Sequence, residues 1–346
     1  MTINTRIYGT IGPASYSTQT LTTLIKNGMN GVRINLSHGN LPIYKKWIFN
    51  IRDAEKITST NIPIIADIQG PEIRTGTLDN KTILLQKDKH ITITTGNKTG
   101  NTDLIFINWP KNESQLKLEQ LININQTILI DDGLINLRVK SIDGNKIYCK
   151  IIRGGRLGER KGVNIPDLKL PLSSLTSKDK DDIVLGIKLG INFIMLPFTR
   201  SINDVKTLRN YLDSKKGQKI GIFAKIENQE GINNLESFIE YIDGVVIARG
   251  DLGVEIGITK VPTVQKDILK LCNQKNKHSI VVTHMLQSMI ESPLPTRAEI
   301  SDIANAVLDG CSGVMLTGET AIGKYPEKTI EFMYNTIYET EKWKQR

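Results

Sequence analysis

The chain has 346 residues, a formal net charge of +9 and only 5% aromatic residues, which leaves ample length for a large buried core. No apolar run approaches the length needed to span a bilayer, and the first thirty residues hold no apolar targeting core, so a cytoplasmic protein with no membrane partner is expected. No basic run with interleaved aromatics appears, which argues against nucleic acid and favours phosphorylated small molecules. Cys149, Cys272 and Cys311 lie far apart without CxxC spacing, so core thiols are expected rather than disulfides or a zinc site.

In chain order, short β-rich apolar runs alternate with longer segments that read as helices. RIYGT (6–10), GVRIN (31–35) and IPIIAD (62–67) come first. The texture then changes to period-two alternation in ITITTG, LIFIN, TILIDDGLINLRV and KIYCKII, with Asp-Gly pairs at Asp132 and Asp143, the pattern of antiparallel strands. Five more runs follow: NFIMLP (192–197), KIGIFAK (219–225), GVVIAR (244–249), SIVVT (279–283) and GVMLT (313–317). Eight strand and helix pairs predict an α/β fold, a closed (β/α)8 TIM barrel built from residues 1–70 and 171–346. Residues 71–170 are expected as an antiparallel β-barrel lid domain inserted after the third strand, placed to close over the barrel mouth.

Polar residues collect where these strands end. Arg33, Asn35 and Ser37 leave the second run, Asp67 ends the third, and Lys225 and Glu227 end the fifth. Arg249 and Asp251 leave the sixth, Thr283 the seventh, and Thr317 and Glu319 the eighth. Active sites of such barrels sit at the carboxyl ends of their strands, and six such ends exceed what plain solvent exposure accounts for. Side chains two apart on a strand share a face, so Lys225 and Glu227 point the same way. By itself that pair reads as a surface ion pair. Among the other strand ends it reads as a site for an anion and a metal, with Glu227 and Asp251 as oxygen ligands suited to Mg²⁺. Arg33 and Lys225 supply charge for a phosphoryl group, whose transfer requires mainly positioning and neutralisation. Gly250 lets backbone approach a ligand, and its neighbouring amides suit a carboxylate if a helix begins there; the other reading is a plain glycine turn.

The stretches TIGPAS (10–15), GMNGVRINLSHG (28–39), QGPEIRTG (69–76), RKGVNIP (160–166), AKIENQEG (224–231), ARGDLGVE (248–255), PTRAEISDIANAVLDG (295–310) and LTGETAIGKYP (316–326) together resemble pyruvate kinase, in that family's order. Several long motifs in register are far more specific than a lone glycine pattern. The resemblance implies conversion of phosphoenolpyruvate and ADP to pyruvate and ATP. It implies that Lys225 stabilises the enolate, that Arg33 grips the phosphate, and that Glu227 and Asp251 hold Mg²⁺. Backbone at Gly250 and Asp251, with Thr283, would hold the substrate carboxylate, and Thr283 would serve the proton relay. The nucleotide would meet Asn35, Leu36, Ser37, His38, Arg74 and Lys161. A K⁺ site would use Asn35, Ser37, Asp67 and the carbonyl of Ile68, in keeping with Glu72, which accompanies a K⁺ requirement in the family.

Departures from the family pattern are visible. Asp67-Ile68-Gln69-Gly70-Pro71 stands where Asp-Thr-Lys-Gly-Pro is usual, His284 replaces a Gln, and Thr317 replaces a Ser. A histidine beside the relay either shifts its pH dependence or is inert. The family commonly continues into a C-terminal domain carrying a sugar-phosphate activator pocket, and the sequence ends at Arg346. The expectation is therefore an enzyme not activated by fructose bisphosphate, with a barrel-to-barrel homodimer left open and the tetramer disfavoured. Two other readings share the residues: a metal-dependent pyruvate-type aldolase or lyase on the same barrel, and a catalytically impaired remnant that binds phosphoenolpyruvate or nucleotide.

Overall fold

A computed structural model describes residues 3–37, 41–109, 116–168 and 171–346. Contacts divide it into two compact units, one of residues 1–70, 177–250 and 260–346, the other of residues 71–176 and 251–259.

The first unit is a closed parallel barrel. Its strands are β1 (Arg6–Thr10), β2 (Gly31–Asn35), β3 (Ile64–Asp67), β4 (Phe193–Leu196), β5 (Gly221–Ile226), β6 (Gly244–Ala248), β7 (His278–Val282) and β8 (Gly313–Leu316). Each pairs in parallel with its chain neighbour, and β8 closes on β1. Both faces of these strands are covered, which is why they read as continuous apolar runs rather than alternating ones. Tyr8, Ile65, Met195, Phe223, Val246, Ile280 and Met315 form one buried cluster, the inward row of the barrel. Two residues further along β1, β3 and β5 come Thr10, Asp67 and Lys225. Strand periodicity thus sets polar groups directly above an apolar plug.

Large rings in that plug are admitted by bare backbone beside them. A Cβ at Gly244 would lie 2.4 Å from the Phe223 ring and 2.6 Å from the carbonyl oxygen of His278. The crossover helices start on defined caps. Ser201 and Asp204 exchange side-chain to backbone bonds at the start of the helix Ile202–Ser214, as do Thr296 and Glu299 at that of Arg297–Leu308, each pair satisfying two of the amides that a helix start leaves open.

Among the strand ends that differ from the sequence expectation by one residue, three place a polar residue just beyond the ladder. Arg249 opens the helix Arg249–Ile256 instead of ending β6. Thr283 lies past β7 with φ +81°, and Thr317 precedes the short helix Gly318–Ala321 with φ −113° and ψ −99°. In each case the backbone turns to carry a polar side chain, and ladder pairing stops.

The second unit is β-rich, with a seven-stranded sheet and a two-stranded one around a core that includes Ile93, Ile105, Ile128, Leu137, Ile147 and Leu157. Its ladders are antiparallel with one difference from expectation: His90–Thr95 and Leu104–Asn108 run parallel. Parallel neighbours need a return excursion, which residues 96–103 supply. At the turn after Thr127–Ile130, Asp131, Asp132 and Gly133 all have positive φ, backbone that Asp and Gly tolerate best. Among the described residues no helix is long and apolar enough to cross a membrane.

All three cysteines are unpaired and buried, and burial pushes each thiol up to about 12. Because the thiolate is the reactive species, a thiol-specific reagent at mild alkaline pH is expected to find no fast-reacting group in the native chain and three after unfolding. The contacts around Gly244 predict that Gly244→Ala costs about 1–3 kcal/mol through overpacking, read as a lower urea midpoint at unchanged slope.

Candidate active site

Asp67, the last residue of β3, is 2% exposed and meets two cations from other strands. Arg33 of β2 places Nη2 2.6 Å and Nε 2.8 Å from Asp67 Oδ2. Lys225 of β5 sets Nζ 3.4 Å from Asp67 Oδ1 and 2.9 Å from Glu227 Oε1. The far side of Glu227, itself 1% exposed, accepts the Phe198 N–H at 2.7 Å. Arg33 also donates to Thr10 Oγ1 at 3.1 Å, and Thr10 donates onward to the Leu316 carbonyl at 2.8 Å. Exposure of 12% for Arg33 and 15% for Lys225 leaves the cations as the accessible layer over two buried carboxylates.

Burial alone would raise the Asp67 pKa; the charges of Lys225 and Arg33, with their hydrogen bonds, outweigh it and hold the group below the usual carboxylate value. Two acids against two cations make a locally neutral cluster, the form in which buried charge is tolerated. Asp67 Oδ1 is buried with the Lys225 ammonium 3.4 Å away, a looser contact than Oδ2 makes with Arg33.

The loop after β2 approaches the same strand end. Leu36 N–H donates to the Asp67 carbonyl at 2.9 Å, and Asn35 Oδ1 accepts the Ser37 N–H at 3.0 Å. Asn35 also pairs in register with Asp67 across the ladder. Ile68 is buried. His38 lies outside the described residues.

At the end of β7, Thr283 and His284 both occupy left-handed backbone, φ +81° and +56°. For a β-branched residue this is a genuine outlier of the kind that concentrates at functional sites. Arg249 holds it there: Nη2 and Nε reach the Thr283 carbonyl at 2.7 and 3.3 Å, while Nη1 bonds Asp302 at 2.8 Å. A Cβ on Gly250 would come within 3.1 Å of the Thr283 methyl, so a bare backbone at 250 spares the Thr283 side chain. A helix does begin at Arg249, and Asp251 sits in its first turn; Asp251 groups with the second unit. His284 is exposed.

Glu319 is fully buried and accepts from Leu286 N–H at 3.1 Å, Thr317 N–H at 2.7 Å and Thr317 Oγ1 at 3.0 Å. It ties the segments after β7 and β8 together. Sequence reading placed Arg249 and Glu319 at strand ends and assigned neither a task; nothing in composition or spacing signals a carbonyl clamp.

Within the second unit, Arg74 and Lys161 stand on adjacent rungs. Thr75 N–H donates to the Lys161 carbonyl at 2.8 Å and Lys161 N–H to Thr75 Oγ1 at 2.9 Å. Arg74 donates to Glu72 at 2.7 Å and to the Arg160 carbonyl at 3.0 Å, and Lys161 pairs with Asp131 at 2.9 Å. The hydrogen bond to Glu72 raises the Arg74 pKa against the opposing effect of burial, with Asp251 and Asp132 adding to the rise.

Among the described residues no three His, Cys, Asp or Glu side chains stand close enough to form a metal cage by themselves. The donor types present are those that two ions of different hardness take. Glu227 is a carboxylate of the kind that holds Mg²⁺ together with substrate oxygens and water, its two oxygens here taking the Lys225 ammonium and the Phe198 N–H. Asp67, Asn35, Ser37 and the Ile68 carbonyl offer one anionic and three neutral oxygens, and Asp67 Oδ1, held only loosely by Lys225, has acceptor capacity such an ion would use.

Comparison with known proteins places these observations. Residues 2–330 match the family "Pyruvate kinase, barrel domain". The chain is 42% identical over 339 residues to a pyruvate kinase of Geobacillus stearothermophilus and 43% identical over 342 residues to that of Staphylococcus saprophyticus, covering 97% of this chain and 57% of each relative. A pyruvate kinase of Clostridium acetobutylicum is 40% identical over 338 residues, 97% of this chain and 70% of that protein. The chain thus spans little more than half the length of the first two relatives. With nearly its whole length aligned at these identities, the chain belongs to the pyruvate kinase family.

Proposed function

We propose that the chain transfers the phosphoryl group of phosphoenolpyruvate to ADP, giving pyruvate and ATP. The observation that carries this reading is the Arg33–Asp67–Lys225–Glu227 cluster, in which two partly open cations rest on two buried acids at one end of a barrel. An aldolase or lyase shares the need for an enolate but has no use for Arg74 and Lys161 as a nucleotide pair.

In this reading Arg33 binds the phosphoryl oxygens and Lys225 neutralises charge as it builds on the enolate oxygen, both anchored so that little reorganisation is needed. Backbone amides at Gly250 and Asp251, with the Thr283 hydroxyl, orient the substrate carboxylate. Thr283 also belongs to the path that brings a proton to the enolate carbon, and the Arg249 clamp keeps its hydroxyl in place. Asn35, Leu36, Ser37, His38, Arg74 and Lys161 contact ADP; its phosphates would draw Arg74 and Lys161 from Glu72 and Asp131. Glu227 and Asp251 would hold Mg²⁺, and Asn35, Ser37, Asp67 and the Ile68 carbonyl would hold K⁺. Bound there, the ions supply Lewis-acid and electrostatic neutralisation of phosphoryl and enolate oxygens.

Pyruvate formation from phosphoenolpyruvate and MgADP, with and without K⁺, tests the proposal. The wild type is expected to turn over only with ADP and to be stimulated by K⁺, while Lys225→Met lowers kcat about 100–1,000-fold, as expected for loss of one transition-state charge contact. ADP-independent consumption of substrate would identify a lyase, and binding without turnover would leave a remnant.

Asp67 supplies a second test. Its pKa is depressed in the fold, so its contribution to stability is present above the ordinary carboxylate range and disappears as pH falls through the lower folded value. Asp67→Asn is expected to cost about 3–5 kcal/mol at pH 7, as for any buried pair stripped of one partner, and the gap in urea midpoint should narrow as pH falls below the ordinary carboxylate range. A gap independent of pH would contradict the ionic role.

A further inference from the structure

The helix Ser177–Lys188 begins with two charged side chains that reach the loops beyond β2 and β3. Lys178 donates to the Leu36 carbonyl at 2.7 Å and to Asp182 at 3.0 Å. Asp179 is fully buried, and its Oδ1 accepts two successive backbone donors, Gln69 N–H at 3.0 Å and Gly70 N–H at 3.2 Å. The N–H of Gln69 and the carbonyl of Ile68 belong to one planar trans peptide, so the two point in opposite directions. Whatever holds that N–H therefore decides where the carbonyl aims. The preceding peptide is held as well, because the Asp67 carbonyl accepts the Leu36 N–H at 2.9 Å. Beyond it the loop has little play: Gly70 has φ +66°, and a Cβ there would lie 2.5 Å from Pro197.

We propose that Asp179 is a positioning residue for the monovalent cation, turning the Ile68 carbonyl away from the helix Ser177–Lys188 so that it serves as an ion ligand beside Asp67. The proposal rests on the K⁺ reading given above and explains how this chain keeps such a ligand with Ile68 and Gln69 in the loop. The aim of the carbonyl is set by a buried carboxylate on another element and is indifferent to the side chains at 68 and 69. Asp179 itself touches no ion and acts through the peptide.

The full chain is compared with Asp179→Ala and with the conservative Asp179→Asn, which retains an oxygen at the acceptor position. Two measurements are made: pyruvate formation against KCl at saturating substrates, and the substrate-free unfolding midpoint in KCl against tetramethylammonium chloride at equal ionic strength. For Asp179→Ala the half-saturating KCl is expected to rise at least tenfold with the maximal rate within threefold of wild type, and the KCl-specific rise in midpoint to vanish. Asp179→Asn should restore both. Should the alanine variant fail to fold, Asp179→Glu, which displaces the acceptor by one methylene, should show the same rise in half-saturating KCl. Unchanged KCl dependence and an unchanged KCl-specific shift would overturn the role of Asp179 while leaving the K⁺ site standing. A rate lowered equally at every KCl concentration would mark a merely structural residue and also overturn it. A wild type that responds to KCl in neither measurement would remove the K⁺ reading and this proposal with it.

Discussion

One buried carboxylate organises the open end of the barrel. Asp67 lies between a guanidinium from β2 and an ammonium from β5, and without an anion there the two cations would share a low-dielectric cavity as like charges. Its desolvation is offset only because both partners are within ion-pair distance and Glu227 takes a further share of Lys225. The arrangement stores no net charge but leaves its positive members outermost. In the proposed function that is the polarity an incoming phosphate and carboxylate require.

Around this centre, polar side chains reach across to backbone groups of other segments as well as to one another. Arg249 grips the carbonyl of Thr283, Glu319 gathers three donors from the segments after β7 and β8, and Asp179 takes the amides of Gln69 and Gly70. Each spans between elements and fixes a loop whose conformation local propensity would not select. The clearest case is Thr283, a β-branched residue kept at φ +81°. Strain of this kind persists where the surroundings over-determine it, and a guanidinium bonded at once to the Thr283 carbonyl, Asp302, Gln265 and Met285 is such a surrounding. The Arg33 side chain gains its rigidity in the same way from Asp67 on the adjacent strand, and Lys225 from Asp67 two strands away and Glu227 on its own.

The apolar plug beneath has a complementary task. Phe223 and Tyr8 fill the barrel at the level below Lys225 and Thr10, and the bare backbone at Gly244 makes room for the first of them. A filled interior keeps water from the undersides of Asp67 and Glu227, so the charges above act in a medium where they interact strongly. Packing and chemistry are linked here through two-residue periodicity: the strand that buries Phe223 must also present Lys225.

Much of this was readable before any coordinates. All eight barrel strands fall within the apolar runs or one residue of them, since strands covered on both faces leave an unmistakable signature. Alternation placed Lys225 and Glu227 on one side, and the motif order identified the family. What local sequence could not reveal was partnership and backbone conformation. Asp67 was read as an ion ligand, and its service to Arg33 and Lys225 depends on barrel curvature turning side chains of β2, β3 and β5 toward one interior. Arg249, Glu319 and Asp179 act on peptides far away in the chain, and the left-handed turn at Thr283 runs against the preference of its own residue type. Short-range rules therefore settled which elements form and which side chains stand at their ends; only tertiary structure decided which of those charges meet and which carbonyls they aim, because both are properties of contacts between segments that share no local signal.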